Sequence, residues 1–173
     1  MKVLITGATG TIGGAVAEAL LDRGDDVVGL SRNPDKAKQT EPRIAWHAWD
    51  ATAERPSAES LVGVEAVINL VGEPINQRWT DAAKKAIRES RVTATKNLVD
   101  AMLAAETPPG ALISGSAVGY YGDRKDAIVD ESTGPGSTFD AQVCVDWEAE
   151  AEKAEAGGIR VALIRTGLLL TRD

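Results

Sequence analysis

The segment Lys2-Val3-Leu4-Ile5-Thr6-Gly7-Ala8-Thr9-Gly10-Thr11-Ile12-Gly13-Gly14 restricts the fold of this chain more than any other stretch. A buried strand, Val3 to Thr6, runs straight into glycines at 7, 10 and 13, and an amphipathic helix, Ala15 to Arg23, follows. Gly7 permits a tight turn, Gly10 removes the Cβ that would block a pyrophosphate, and Gly13 lets the helix pack close to the strand. Unpaired backbone N–H groups and the positive end of the helix dipole then face the phosphates. The spacing is G-x-x-G-x-x-G, not G-x-G-x-x-G. Its position between a strand and a helix is what points to dinucleotide binding. Gly7, Thr9, Gly10, Thr11, Ile12 and Gly13 are accordingly assigned to the phosphate cradle.

The rest of the chain alternates short apolar runs with helical stretches, the pattern of βαβ units. Further strands are expected at Val27 to Leu30, Ile44 to Trp46, Ala66 to Leu70, Ala111 to Ser114 and Arg160 to Arg165. A long helix is expected from Thr80 to about Ala105, stopped by Pro108-Pro109-Gly110. Another runs from Asp140 to Ala156, stopped by Gly157-Gly158. Asp123 to Thr138, rich in Gly, Asp, Ser and Pro, reads as a surface loop. The 173 residues suit one α/β domain, 1–173, and not two. The expected fold is a Rossmann-type doubly wound parallel sheet of about six strands flanked by helices, with ligand at the strands' carboxyl ends.

Composition removes several other classes. A formal charge of −7 argues against bulk attraction to nucleic acid. The single cysteine, Cys144, excludes an internal disulfide and fits a reducing cytoplasm. One histidine, His47, excludes a two-histidine metal site, and no metal is expected. There is no apolar run long enough for a membrane span, and the early strand does not read as a signal peptide.

The end of the second strand decides the cofactor. Enzymes preferring NAD(H) place an acid there for the ribose 2′-hydroxyl. This chain has Ser31-Arg32, with no acid before Asp35. A guanidinium can grip a 2′-phosphate through two charge-assisted bonds and the serine can add a third, so the reading favours NADP(H) over NAD(H). Asp50 either accepts from the adenine amino group or is a plain loop acid.

Several further segments, namely Asn69-Leu70-Val71-Gly72-Glu73-Pro74-Ile75, Arg78-Trp79-Thr80, Arg88-Glu89-Ser90-Arg91, Gly119-Tyr120-Tyr121-Gly122-Asp123, Asp130-Glu131 and Val143-Cys144-Val145-Asp146-Trp147-Glu148, together resemble a branch of the extended short-chain dehydrogenase/reductases. The branch belongs with the NAD(P)-dependent epimerase/dehydratases and is labelled sugar-nucleotide epimerase-like or cell-division-inhibitor-like. The resemblance covers essentially the whole chain. It implies main-chain contacts to cofactor at Leu70, Val71 and Gly72, with Glu73 beside them. It also implies Arg91 reaching phosphate or ribose, and Arg165 on the same crevice at the end of the sixth strand. In the family a substrate-binding C-terminal lobe follows that strand, and the expectation is that the lobe is missing here. Leu168-Leu169-Leu170 would then leave apolar surface for a partner domain or a second copy of the chain.

One departure bears on chemistry. The usual enzymes of the superfamily pair a catalytic tyrosine with a lysine as Tyr-x-x-x-Lys, and no such spacing occurs here. Alignment from the serine after the fifth strand puts Asp140 near the tyrosine position and Cys144 near the lysine position, as in the atypical branch itself. The catalytic candidates that remain are Ser114 or Ser116, to hydrogen-bond a substrate oxygen, and Tyr120, with Arg91 near it. The functional expectation is an NADP(H)-binding oxidoreductase or epimerase-like protein acting on a small carbonyl or sugar-nucleotide-like substrate. The alternative is a sensor that binds NADP(H) without turnover.

Overall fold

The protein is described from a computed structural model, over residues 1–170. Six parallel strands form one sheet: β1 (Lys2–Thr6), β2 (Asp26–Ser31), β3 (Ala45–Ala48), β4 (Ala66–Asn69), β5 (Ala111–Ala117) and β6 (Arg160–Thr166), in the order β3-β2-β1-β4-β5-β6. The connections run outward in both directions from the β1–β4 pair. The loops at the carboxyl ends of those two strands therefore diverge and leave a crevice, as in doubly wound sheets.

Alternation along the central strand sorts the two faces. Val3 and Ile5 of β1 pack with Val27 and with Ala17 of α1 (Thr11–Asp22). Leu4 faces the other way, into a larger core with Val67, Leu112, Leu98 and Met102 of α4 (Val92–Ala104) and Ala151 of α5 (Phe139–Glu152). Both sides of the sheet are thus covered, which is why its strands read as nearly continuous apolar runs.

Three local features differ from the sequence expectation. The helix anticipated from Thr80 to Ala105 is two helices, α3 (Asp81–Glu89) and α4, with Thr80 capping the first by accepting from the Ala83 N–H at 3.2 Å. The break falls at Ser90 and Arg91. The Ser90 hydroxyl donates to the Ile87 carbonyl (3.1 Å) and accepts from the Glu73 N–H (2.9 Å), so the chain bends to hold the β4 loop. A short helix, α2 (Pro34–Thr40), stands where none was expected. It is started by proline at its first position and by the Asn33 side chain, whose Oδ1 accepts from the Lys36 N–H at 3.0 Å. Strand β5 continues past Ser114 to Ala117, paired with β6 through Ser116↔Arg165, so both candidate serines lie on the sheet.

Arg43 ties α1 and α2 together near β3. It contacts Asp22 at 3.1 Å and grips Glu41 with contacts of 2.9 and 2.7 Å. These hydrogen bonds lower the Glu41 carboxyl to about 2. Its contribution is present above the ordinary glutamate range near 4.5 and is lost as pH falls toward 2. Carboxyl-detected NMR titration is expected to show Glu41 as an acid-shifted side chain, and an ordinary midpoint would mean the Arg43 grip does not form in solution.

Candidate nucleotide groove and the crevice behind it

The glycine turn has the close-packed geometry its spacing requires. Gly7 sits at φ +70°, and a Cβ there would lie 2.8 Å from the Leu70 carbonyl oxygen. At Gly13 a Cβ would fall 2.2 Å from the Gly7 carbonyl oxygen, so the first turn of α1 touches the turn backbone itself. A Cβ on Gly10 would meet the Gly7 oxygen at 3.3 Å and, its two chain neighbours aside, no other protein atom within 4 Å. Its open side faces the groove.

That groove has a volume of about 560 Å³. Gly7, Thr9 and Gly10 form its floor, Ser31, Arg32 and Asp50 one wall, and Leu70, Val71, Gly72 and Glu73 the other. The structure therefore brings together most of the residues assigned from the sequence. Thr11 and Ile12 open α1 as exposed residues but do not line the groove. Asn33, Thr52, Ala86, Glu89 and Ser90 also line it and were not among the assigned residues: Glu89 and Ser90 lie in the Arg88–Arg91 segment, where the sequence points only to Arg91, and the other three carry no motif.

A buried hydrogen-bond chain sets the β4 wall. The Thr6 hydroxyl donates to Asn69 Oδ1 at 2.7 Å and accepts from the N–H groups of Leu70 (3.0 Å) and Val71 (3.2 Å). Asn69 Nδ2 donates to Thr95 Oγ1 at 2.8 Å and to Ser114 Oγ at 3.3 Å. Trp147 Nε1 donates to the same Thr95 oxygen at 2.9 Å. Every polar side chain in this chain has a partner, as burial demands. Ser114 is fully buried inside it, which removes its hydroxyl from the surface of the crevice.

Arg91 lies under this wall and does not line the groove. Its Nη1 donates to the carbonyls of Glu73 (3.0 Å) and Ile87 (3.2 Å), and its guanidinium stands 5.4 Å from the Trp147 ring. A Cβ on Gly72 would touch Arg91 Cζ at 3.0 Å. Burial pulls its pKa down from the usual arginine range. In this structure Arg91 buttresses the loop that forms the wall.

Behind the groove, at the carboxyl ends of β5 and β6, Glu148 organises a second cluster. Glu148 is only 6 % exposed. Ser116 Oγ donates to its Oε1 at 2.5 Å, while Arg165 Nε and Nη2 donate to Oε1 and Oε2 at 2.9 and 2.8 Å. Arg165 Nη1 donates to the Tyr121 hydroxyl at 2.9 Å, and the guanidinium lies 3.5 Å from the Tyr120 ring centre. The Glu148 pairing holds Arg165 above even the usual arginine range. Arg165 is thus occupied by protein partners and does not line the nucleotide groove, in contrast to the cofactor contact expected of it. It is also Arg165, not Arg91, that meets the tyrosines. A signal for Glu148 was present in the sequence: Ala141, Cys144, Glu148 and Ala151 form one buried stripe of α5, and an acid on such a stripe needs a partner.

Asp140 and Cys144, aligned near the positions of the missing tyrosine and lysine, both lie beside the end of β5 and the turn after it. Asp140 abuts Gly119, and Cys144 Sγ lies 3.9 Å from the Ala117 carbonyl. Burial pushes the Cys144 thiol up, keeping it protonated at neutral pH. Among the described residues no cluster of His, Cys, Asp and Glu fits a metal ion, and no helix is long and apolar enough to cross a membrane.

A doubly wound sheet with this glycine turn and groove defines a Rossmann-type domain of the extended short-chain dehydrogenase/reductase kind. The chain belongs to the NAD dependent epimerase/dehydratase family, whose sequence profile matches residues 3–171. It is 38 % identical, over all of its length, to half of a chloroplastic SDR39U1 homologue from Arabidopsis thaliana, itself called an epimerase family protein. It is 39 % identical over 98 % of its length to 54 % of an epimerase family protein of Mycobacterium bovis. Among solved structures, human epimerase family protein SDR39U1 (isoform 2) with NADPH superposes with a TM-score of 0.77 at 31 % identity, covering all of this chain and 56 % of that one. A nucleoside-diphosphate sugar epimerase from Corynebacterium glutamicum superposes at 0.78 with 38 % identity, covering 95 % of this chain and 33 % of that one. The chain spans about half the length of the curated relatives it matches.

Proposed function

We propose that this chain binds NADP(H) in the groove between the glycine turn and the β4 loop, as the cofactor half of an atypical reductase or epimerase-like enzyme. The observation that carries the reading is the β2 wall. Ser31 and Arg32 line the groove where an NAD-preferring protein would place an acid, and Arg32 makes no hydrogen bond or ion pair with any described residue. The human relative solved with NADPH supports the same choice. Leu70 to Gly72 offer main chain to the ribose and phosphates, Asp50 lies on the adenine side, and Gly10 leaves the turn open to the pyrophosphate.

Bound NADPH would supply a hydride for a small carbonyl or sugar-nucleotide-like substrate. The chain's own part is to hold the cofactor and to present Tyr120 behind it, on Arg165, while Ser116, buried like Ser114, spends its hydroxyl on Glu148. A second reading, a sensor that binds NADP(H) without turnover, is favoured by Asp140 and Cys144 standing at the positions of the absent pair. Oxidation of NADPH by a panel of carbonyl compounds, assayed on a chain extended by the second half its relatives carry, separates the two.

Titration with NADPH and NADH side by side, followed by nicotinamide fluorescence, tests the binding reading. Tighter binding of NADPH is expected. Arg32→Asp removes an attractive contact and adds a repulsive one, and is expected to weaken NADPH by about thirtyfold or more with little change for NADH. Unchanged affinity for both in the variant would overturn the 2′-phosphate assignment.

A further inference from the structure

Three consecutive residues of α5 each receive an arginine. Asp146 takes Arg88, Glu148 takes Arg165, and Trp147, between them, takes Arg91 against its ring. The two outer pairs are ion pairs and cancel. An indole face attracts a guanidinium without neutralising it. Among the described residues no carboxylate lies within ion-pair distance of Arg91, and of its nitrogens only Nη1 is spent, on the Glu73 and Ile87 carbonyls.

That charge exceeds what the buttress requires. A neutral donor could serve two carbonyls, and a half-buried charge without a counter-ion costs stability. Glu73 acts on Arg91 through space, but its side chain stands exposed, where water and salt screen it. Cys144, the other group that faces Arg91, is kept protonated by burial. One uncompensated positive charge therefore lies directly behind Gly72, where an added Cβ would be 3.0 Å from Arg91 Cζ.

We infer that Arg91 makes the groove discriminate between the redox states of its cofactor, favouring NADPH over NADP⁺. This rests on the NADP(H) reading above. On that reading adenine lies by Asp50 and the pyrophosphate by Gly10, so the nicotinamide end falls to the β4 and β5 side, the side on which Arg91 stands. Loss of a hydride leaves the nicotinamide ring positively charged, whereas the reduced ring is neutral. The two molecules are otherwise alike, so contacts to phosphates, riboses and adenine cancel between them. Arg91 needs no contact with the cofactor for this: a fixed cation behind the wall repels the oxidised ring and spares the reduced one. The bias has a direction in chemistry. A site that takes up reduced cofactor and sheds the oxidised form suits net reduction of a carbonyl. An epimerase returns its hydride to the same substrate and must retain the oxidised form in between.

The test is the ratio of the NADP⁺ and NADPH dissociation constants, with NADPH followed by nicotinamide fluorescence and NADP⁺ by its displacement. Arg91→Gln keeps a donor for the carbonyls and removes the charge, while Arg91→Lys keeps the charge. The parent is expected to favour NADPH by about tenfold or more, the scale of one charge acting through a short path of protein. Arg91→Gln is expected to lower that ratio about tenfold, which is a fall of about 30 mV in the potential of the bound couple. Arg91→Lys is expected to hold the ratio within about twofold. Loosening of the loop would weaken both forms alike and leave the ratio where it was. A parent that favours NADPH, with Arg91→Gln showing the same ratio, overturns the role of Arg91 and leaves the NADP(H) reading standing. So does a parent that binds the two redox states equally. A parent that binds neither overturns both. Should Arg91→Gln not fold, the parent decides by salt: its ratio is expected to persist from about 0.05 to 0.5 M, because a charge behind the wall is little screened, and a ratio that collapses to one overturns the inference.

Discussion

Gly13→Ala is expected to lower stability by about 3 kcal/mol and to remove measurable NADPH binding. The new methyl group would lie 2.2 Å from the Gly7 carbonyl oxygen, and the neighbouring contacts at 2.8 and 2.9 Å are also backbone. No flexible side chain is available to move aside, so α1 must lift off the turn. That displacement spoils the phosphate cradle as well as the packing of Ala17 against Val3 and Ile5. Gly14→Ala is the matched control. There the added Cβ would meet the Ala8 carbonyl oxygen at an ordinary 3.5 Å, and alanine in a helix gains roughly 0.5–1 kcal/mol over glycine. Thermal unfolding and NADPH titration of the two variants should diverge sharply. If Gly13→Ala melts with the parent and binds NADPH as the parent does, the close contact between turn and helix is not the basis of the site.

The second large effect is expected at Glu148. Truncation to alanine strands the Arg165 guanidinium and the Ser116 hydroxyl in a pocket that water scarcely enters, where Glu148 is 6 % exposed and the Arg165 side chain 17 %. Breaking a buried pair from one side costs about 3–5 kcal/mol, and the residual exposure of Arg165 places this case at the lower end. For a chain of this size that is a fall in melting temperature of roughly 6–12 °C. The double variant Glu148→Met/Arg165→Met should recover much of the loss, because the cost lies in the unpaired charge more than in the absence of the pair. Calorimetry on the three proteins decides this. A double variant no more stable than Glu148→Ala would mean that the cluster contributes through its geometry and not through charge balance.

The parts of this architecture legible in the sequence are those written locally. Gly10 and Gly13 announce their turn because the contacts they answer, with the Gly7 carbonyl, lie within the same short segment, and Gly7 because its own φ is positive. The Ser31-Arg32 pair is legible because it stands at a fixed distance behind a strand. The break between α3 and α4 is not written locally: Ser90 and Arg91 would continue a helix, and they bend it because Glu73, 17 residues earlier, requires a partner. Helix α2 escaped notice because seven mostly polar residues show no apolar period, although Asn33-Pro34 was a usable start signal. The apolar run that marks β5 in the sequence stops at Ser114. The strand continues because β6 pairs with it as far as Ala117. The Glu148–Arg165 pair joins a helix to a strand, and no spacing rule connects them.

The bend at Ser90 and Arg91 has a mechanical consequence. These two residues grip the β4 loop from below, through the Glu73 N–H and the Glu73 carbonyl. The same joint carries α3, whose Ala86 and Glu89 face the groove from beyond that loop. The loop and the helix that frame the mouth of the groove are therefore moored at one shared point, the Ser90–Arg91 bend, and not on separate supports.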